Sequence, residues 1–290
     1  MDNHRLLLPA AGCHDDDLIR ATNDDAALST LVLGTYTRSK AIDQLIHDFL
    51  TAGDGNPRTK QIVSIGAGSD TRYFLLKNGG MQPGNYFEID FAEITAKKAQ
   101  TIAKNKALSD TIGPFQLASG GTELHGADYH LLAGDLRTFA TDLVAKLHLL
   151  NFSSTSPTLF LSECVLIYLA PSVSESILRA ASSIITSGMF VVYEQINPHD
   201  AFGQTMLQNL RMRGIELLGW DKWPDIEAQK RRFRENGWSV AKAGDLNEYW
   251  DGLPQVEKDR IAKLEIFDEI EEWRLLSAHY CVSWGIKSAQ

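Results

Sequence analysis

The stretch Gln61–Asp90, QIVSIGAGSDTRYFLLKNGGMQPGNYFEID, decides the fold. Ile62-Val63-Ser64-Ile65 is an apolar run of strand length that ends on Gly66-Ala67-Gly68. A helix-like segment follows, and Tyr86-Phe87-Glu88-Ile89 forms a second strand pattern closed by Asp90. In this order α/β proteins hold an adenosine-containing ligand: the glycines let the backbone approach it, and the acid takes its ribose hydroxyls.

The alternation continues outward. Upstream, residues 16–32 and 37–52 read as two helices. In the second, Ala41, Ile42, Leu45, Ile46, Phe49 and Leu50 keep one apolar face at helical spacing. Downstream, a helical pattern runs to about Ala107 and stops at Gly113-Pro114; residues 115–132 show only a turn at Gly120-Gly121. A short strand at residues 130–133 leads into Gly134-Asp135-Leu136 and a helix to about Leu150. Residues 158–162, ending in Glu163, read as a buried strand. Pro171 opens a helix to about Ser187, and residues 189–193 form a strand closing at Glu194. Strands alternating with helices predict an α/β fold with a parallel sheet and helices on both faces. Beyond residue 195 the rhythm changes. Residues 201–213 and 225–236 read as helices, residues 238–240 as a strand, and HYCVSWGI at 279–286 as an antiparallel strand at the sheet edge. The expected division is a helical cap over 1–56, a binding core over 57–196, and a helical substrate-recognition layer with the last strands over 197–290, in one compact domain.

Composition narrows the class. The 290 residues are 44% hydrophobic and 22% charged, as in ordinary globular proteins. No apolar run has the length of a membrane span, and Pro9 with Asp15-Asp16-Asp17 argues against a secretory signal. Cys13, Cys164 and Cys281 are widely separated, which suggests reduced thiols of a cytoplasmic protein and no metal site. The net charge of −9 disfavours a nucleic-acid partner. The Lys230-Arg231-Arg232 cluster is diluted by Glu227 and Glu235 and reads as a solvated helix face.

In an open parallel sheet, ligands bind beyond the carboxyl ends of the strands. Read in order, those ends deliver Gly66 and Gly68, then Asp90, then Asp135 with Leu136, then Glu163. Asp90 suits a ribose diol, Asp135 the exocyclic amine of adenine, Leu136 a ring face, and Glu163 an ammonium. A dinucleotide prefers a third glycine beside its pyrophosphate; Thr71 holds that position and Asp70 adds a repelling carboxylate. S-adenosylmethionine carries no phosphate but has a sulfonium and an ammonium, so an acid-lined pocket suits it better. Arg38 offers a counter-charge for the ligand carboxylate or a solvated surface charge; sequence alone leaves both open. Cys164 has no local base and reads as a small core residue, not a nucleophile.

The glycine turn, YFEID, GDLR, LFLSECVLIYL at 159–169 and YEQINPHDAFGQTMLQNLRMRG at 193–214 closely resemble the leucine carboxyl methyltransferase family. The resemblance extends through QKRRFRENGW at 229–238 and the tail. It implies a class I S-adenosylmethionine-dependent methyltransferase fold, Rossmann-like, and methyl esterification of the C-terminal leucine of the protein phosphatase 2A catalytic subunit. The product cofactor is S-adenosylhomocysteine, and the enzyme is expected to be a monomer. Arg38 and Gly66 would meet the methionine end, Asp90 the ribose, Asp135 and Leu136 the adenine, and Glu163 the amino group. Tyr168 and the 193–214 segment would lie near the entering phosphatase tail, with Tyr168 in a positioning role. One departure stands out. Family members carry a longer, lysine-bearing stretch before the TYTRSKA-like helix, whereas here Leu31-Val32-Leu33 runs directly into Gly34-Thr35-Tyr36; Arg20 is retained.

The implied reaction needs no general base, because a peptide C-terminus is already ionised at neutral pH, with a pKa of about 3.3–3.7. Two alternatives stand beside it. One is a related methyltransferase acting on a modified tRNA base or a small carboxylate; the tRNA-acting relatives carry an added propeller, for which 290 residues leave no room. The other is a family member that binds the phosphatase without methylating it.

Overall fold

The computed structural model describes residues 26–263 and 270–288. Arg20 and most of the expected 16–32 helix lie outside them. The chain begins α1 (Ala26–Thr51), β1 (Gln61–Ile65), α2 (Arg72–Asn78), β2 (Asn85–Asp90), α3 (Ala92–Lys104) and α4 (Lys106–Ile112). It continues β3 (Gln116–Ala118), β4 (Glu123–His125), β5 (Tyr129–Ala133), α5 (Val144–Leu149), β6 (Thr158–Glu163), α6 (Pro171–Ser183) and β7 (Gly188–Gln195). The last part is α7 (Ala201–Met212), α8 (Ile226–Glu235), β8 (Val240–Asp245), α9 (Leu246–Gly252), α10 (Gln255–Ala262), α11 (Ile270–Ser277) and β9 (Tyr280–Lys287).

The strands form one sheet in the order β3-β4-β5-β2-β1-β6-β7-β9-β8. β5, β2, β1, β6 and β7 are mutually parallel. Their side chains alternate between two cores, as strand geometry requires. On one side Ile62, Tyr86, Leu159, Leu161 and Val191 pack with Ile42, Ile46 and Leu50 of α1. On the other Val63, Phe87, Phe160 and Phe190 pack with Ile177 and Leu178 of α6 and with Phe233 and Trp238. The mostly parallel sheet with helices on both faces is the predicted α/β class. Strand order reverses between β1 and β6, which opens a crevice at their carboxyl ends, above Gly66 and Glu163.

Five expectations change, one of them on the basic cluster: Arg232 is buried, not solvated, and donates to Glu194 at 2.7 Å. The two N-terminal helices are one: α1 runs through Gly34-Thr35-Tyr36 without a break. An interior glycine costs a helix only about 1 kcal/mol, and the buried Leu33, Tyr36, Thr37, Ala41 and Ile42 carry one face across it. The long helix after Asp90 is divided at Asn105, whose side chain caps α4 by accepting from the Ala107 and Leu108 N–H groups. Residues 115–132 hold an antiparallel hairpin, β3–β4, that extends the sheet beyond β5. Finally, β9 is antiparallel to β7 as expected but lies one place in from the edge. The strand expected at 238–240 begins at Val240 and continues to Asp245, pairing along the outer side of β9. Trp238 instead turns into the core, 1% exposed.

Two helical groups flank the sheet ends. Ile261 and Trp273 pack on Leu33 and Tyr36 of α1. The Tyr36 hydroxyl bonds Glu257, which also accepts from Arg260 at 2.8 Å. Leu217 and Trp220, with Met206 and Leu210, pack on Ile167, which folds the 201–220 segment against the turn after β6. Among the described residues no helix is long and apolar enough to cross a membrane.

Candidate active site

A cavity of about 640 Å³ opens at the carboxyl edge of the sheet, within the size range of small-ligand sites. Five sequence-predicted residues line it: Gly66, Asp90, Asp135, Leu136 and Tyr168. Phe91, Arg137, Val165 and Leu218 complete the walls used below.

The glycine turn is built onto β2. Gly66 and Ala67 donate their N–H groups to the Ile89 carbonyl at 2.8 and 3.2 Å, and both Gly66 and Gly68 have positive φ. A Cβ on Gly66 would sit 2.3 Å from Val165 Cγ2, so that wall tolerates only glycine. Asp90 is locked by backbone donors on each oxygen: Gly68 N–H to Oδ2 at 2.7 Å and Phe91 N–H to Oδ1 at 2.7 Å. A carboxylate has about four lone-pair sites, so acceptor capacity remains for a diol. Phe91, more than half exposed, offers an aromatic face beside it.

Asp135 caps the short turn at Leu136 and accepts from the backbone N–H and Nε of Arg137, at 2.9 and 2.8 Å. These hydrogen bonds hold its carboxyl below the usual range. Leu136 is 8% exposed and presents a hydrophobic wall. Cys164, in the left-handed region at φ +53, turns the chain out of β6. Burial pushes its thiol up to about 12, which keeps it protonated at neutral pH and unsuited to nucleophilic attack.

Arg38 and Glu163 are brought together but are not among the residues that line the cavity. Arg38 Nε donates to Glu163 Oε2 at 2.8 Å, and its guanidinium lies over the Tyr193 ring, 4.7 Å from the centroid. The other Glu163 oxygen bonds Arg72. Arg72 is further held by Asp43 at 2.7 Å and Asp70 at 3.2 Å. Burial pushes Asp70 up, yet Arg72 and Lys98 outweigh it and hold its carboxyl down. Glu163 is thus part of a charge network shared by two guanidinium groups. Sequence reading missed Arg72, Phe91, Val165, Arg137 and Leu218. Arg137 and Val165 lie within the quoted motifs GDLR and LFLSECVLIYL, and Arg72 and Phe91 immediately follow Thr71 and Asp90, which were the available signals.

The family model described as leucine carboxyl methyltransferase matches residues 7–182. The chain belongs to the leucine carboxyl methyltransferase family. It is 36% identical to the leucine carboxyl methyltransferase 1 homolog of Arabidopsis thaliana, covering 93% of this chain and 90% of that protein. Identity to leucine carboxyl methyltransferase 1 of Emericella nidulans is 41%, over 87% and 73%. The tRNA wybutosine-synthesizing protein 4 of Rattus norvegicus is 38% identical, covering 86% of this chain but 37% of that protein. Among solved structures, a methyltransferase candidate from Thermobifida fusca YX superposes with a TM-score of 0.57 at 12% identity, over 95% and 94% of the two chains. At that identity it speaks for the fold alone. A leucine carboxyl methyltransferase is therefore an enzyme on a methyltransferase-type α/β sheet, as the motifs implied.

Proposed function

We propose that the chain transfers a methyl group from S-adenosylmethionine to the α-carboxylate of the C-terminal leucine of the protein phosphatase 2A catalytic subunit. The observation that carries the donor assignment is the cavity whose lining joins Gly66, Asp90, Asp135 and Leu136 at one sheet edge. Its chemistry fits the cofactor: two carboxylates, an aromatic face, an aliphatic wall, and a glycine at the closest approach. Asp90 holds the ribose diol with the lone pairs its backbone donors leave free. Asp135 and Leu136 take the adenine amine and ring face. Arg38 and Glu163, already paired, are matched in sign to the carboxylate and ammonium of the methionine end.

When bound, the cofactor supplies an electrophilic methyl: an acceptor oxygen bonds to it, the carbon–sulfur pair stays on sulfur, and S-adenosylhomocysteine results. No proton moves, so no residue acts as a base. The protein's part is to align the acceptor and exclude water, which contributes on the order of 7–11 kcal/mol in well-oriented systems. Tyr168 on the cavity wall positions the acceptor, and the 201–220 segment folded against its turn guides the entering tail. On this reading residues 1–56 serve as the cap, 57–196 as the binding core and 197–290 as the recognition layer, in a cytoplasmic monomer.

Two tests divide the readings. Incubation with methyl-labelled cofactor and the phosphatase catalytic subunit yields alkali-labile label if the proposal holds; complex formation without label points to a binding-only member. The similarity to the wybutosine-synthesizing protein supports a second reading, in which label passes to a modified tRNA base.

A further inference from the structure

Resting on the adenosyl-cofactor reading above, we propose that Arg137 is an intramolecular competitor of the cofactor: its guanidinium occupies the Asp135 carboxylate, and the adenine amine binds by exchanging with it. Both residues line the cavity, so the contact lies inside the site. Oδ1 of Asp135 accepts from the backbone N–H of Arg137 at 2.9 Å and from its Nε at 3.0 Å. Oδ2 accepts from the same Nε at 2.8 Å and from Nη2. These contacts fill the roughly four lone-pair sites of a carboxylate and leave none for a further donor. Asp90, on the same edge, is different. Backbone N–H groups alone hold it among the described residues, one on each oxygen.

The contacts on Asp135 are of two kinds. The backbone bond belongs to the short turn at Leu136–Thr138, which the Thr138 N–H closes on the Asp135 carbonyl at 2.9 Å. That bond stays in place. The guanidinium is held only by the carboxylate: its side chain is 68% exposed, and Asp135 is its only partner among the described residues. An exposed ion pair is weak, because water replaces the partner at little cost. An amine delivered by a base seated on Leu136 therefore takes over a lone pair that the guanidinium gives up to solvent. The exchange lowers affinity by the worth of the pair. It acts alike on S-adenosylmethionine and S-adenosylhomocysteine, which share the adenine, so Arg137 weakens the hold on product as much as on cofactor and limits product inhibition.

The test titrates the full chain, followed by NMR, with adenosine and with purine riboside, which lacks the amine. Both probes are uncharged, so loss of the Arg137 cation does not by itself change their attraction to the site. Arg137→Met is expected to bind adenosine more tightly, on the order of threefold, with purine riboside binding and the unfolding temperature as in the wild type. Wild-type affinity for adenosine is expected to rise with salt relative to Arg137→Met, because salt screens the pair that competes with the ligand. Adding Arg137→Met to Asp135→Ala, which has no acceptor left, is expected to bring no gain. Weaker or unchanged adenosine binding in Arg137→Met, or an equal gain for both ligands, overturns the proposal. If instead Asp135→Ala binds adenosine as tightly as Arg137→Met does, the assignment of Asp135 to the adenine itself fails.

Discussion

The backbone N–H of Gly68 donates to Oδ2 of Asp90 at 2.7 Å, so the glycine turn and the acid at the end of β2 form one unit. With Phe91 N–H on the other oxygen, the carboxylate is oriented before any ligand arrives. Replacing it should cost binding more than folding. Asp90→Ala is expected to weaken S-adenosylmethionine binding at least tenfold in calorimetric titration, with a stability loss of about 1 kcal/mol from the released backbone donors.

Gly66 makes the complementary prediction about shape. Its φ of +65, and the 2.3 Å separation that a Cβ would have from Val165 Cγ2, forbid a side chain from two directions. Gly66→Ala should lower stability by roughly 1–3 kcal/mol and reduce ligand affinity. Adding Val165→Ala should restore part of the stability, leaving the backbone share, as measured by urea unfolding of the single and double variants.

The two arginines on Glu163 should separate structure from binding. Arg72 is 12% exposed and neutralises Asp43, Asp70 and Glu163 together. Arg72→Met leaves three carboxylates without that cation and is expected to destabilise the fold by about 3 kcal/mol. Arg38 is 34% exposed, so Arg38→Met should cost less than about 1 kcal/mol of stability while weakening cofactor binding. Thermal unfolding beside calorimetry distinguishes the two; equal effects on both measurements in both variants would contradict the assignment.

The strand-end residues were legible because a parallel sheet converts chain order into spatial order. Once β1, β2, β5 and β6 are recognised, Gly66, Asp90, Asp135 and Glu163 must share one edge. What the sequence withheld depends on approach between distant segments. Leu218 reaches the cavity only because Leu217 and Trp220 pack on Ile167. Arg72 matters because Asp43 of α1 and Glu163 of β6 both come to it. The continuity of α1 was obscured by Gly34, whose helical cost the buried Leu33 and Tyr36 offset.

Glu88 gives a pH prediction. It is fully buried, bonded to Tyr129 at 2.9 Å and paired with Lys98, and burial pushes its carboxyl up to about 7. In the unfolded chain a glutamate titrates at about pH 4.3. Between these values the folded protein keeps a proton that the unfolded chain has lost. Its contribution to stability is full below the lower value and is lost as pH rises through about 7. Glu88→Gln should therefore gain stability relative to wild type at pH 8 over its value at pH 5. A difference independent of pH, in denaturant melts across that interval, would contradict it.

The claim that this chain esterifies a C-terminal leucine is tested most directly on the phosphatase itself. The catalytic subunit and a version lacking its final leucine are incubated with the protein and S-adenosylmethionine, and mass spectra of their C-terminal peptides are compared. The account predicts a mass gain of one methylene on the terminal leucine, removed by mild alkali, and no gain on the shortened subunit. An unmodified leucine in the presence of demonstrated cofactor binding, or equal methylation of both subunits, would contradict it.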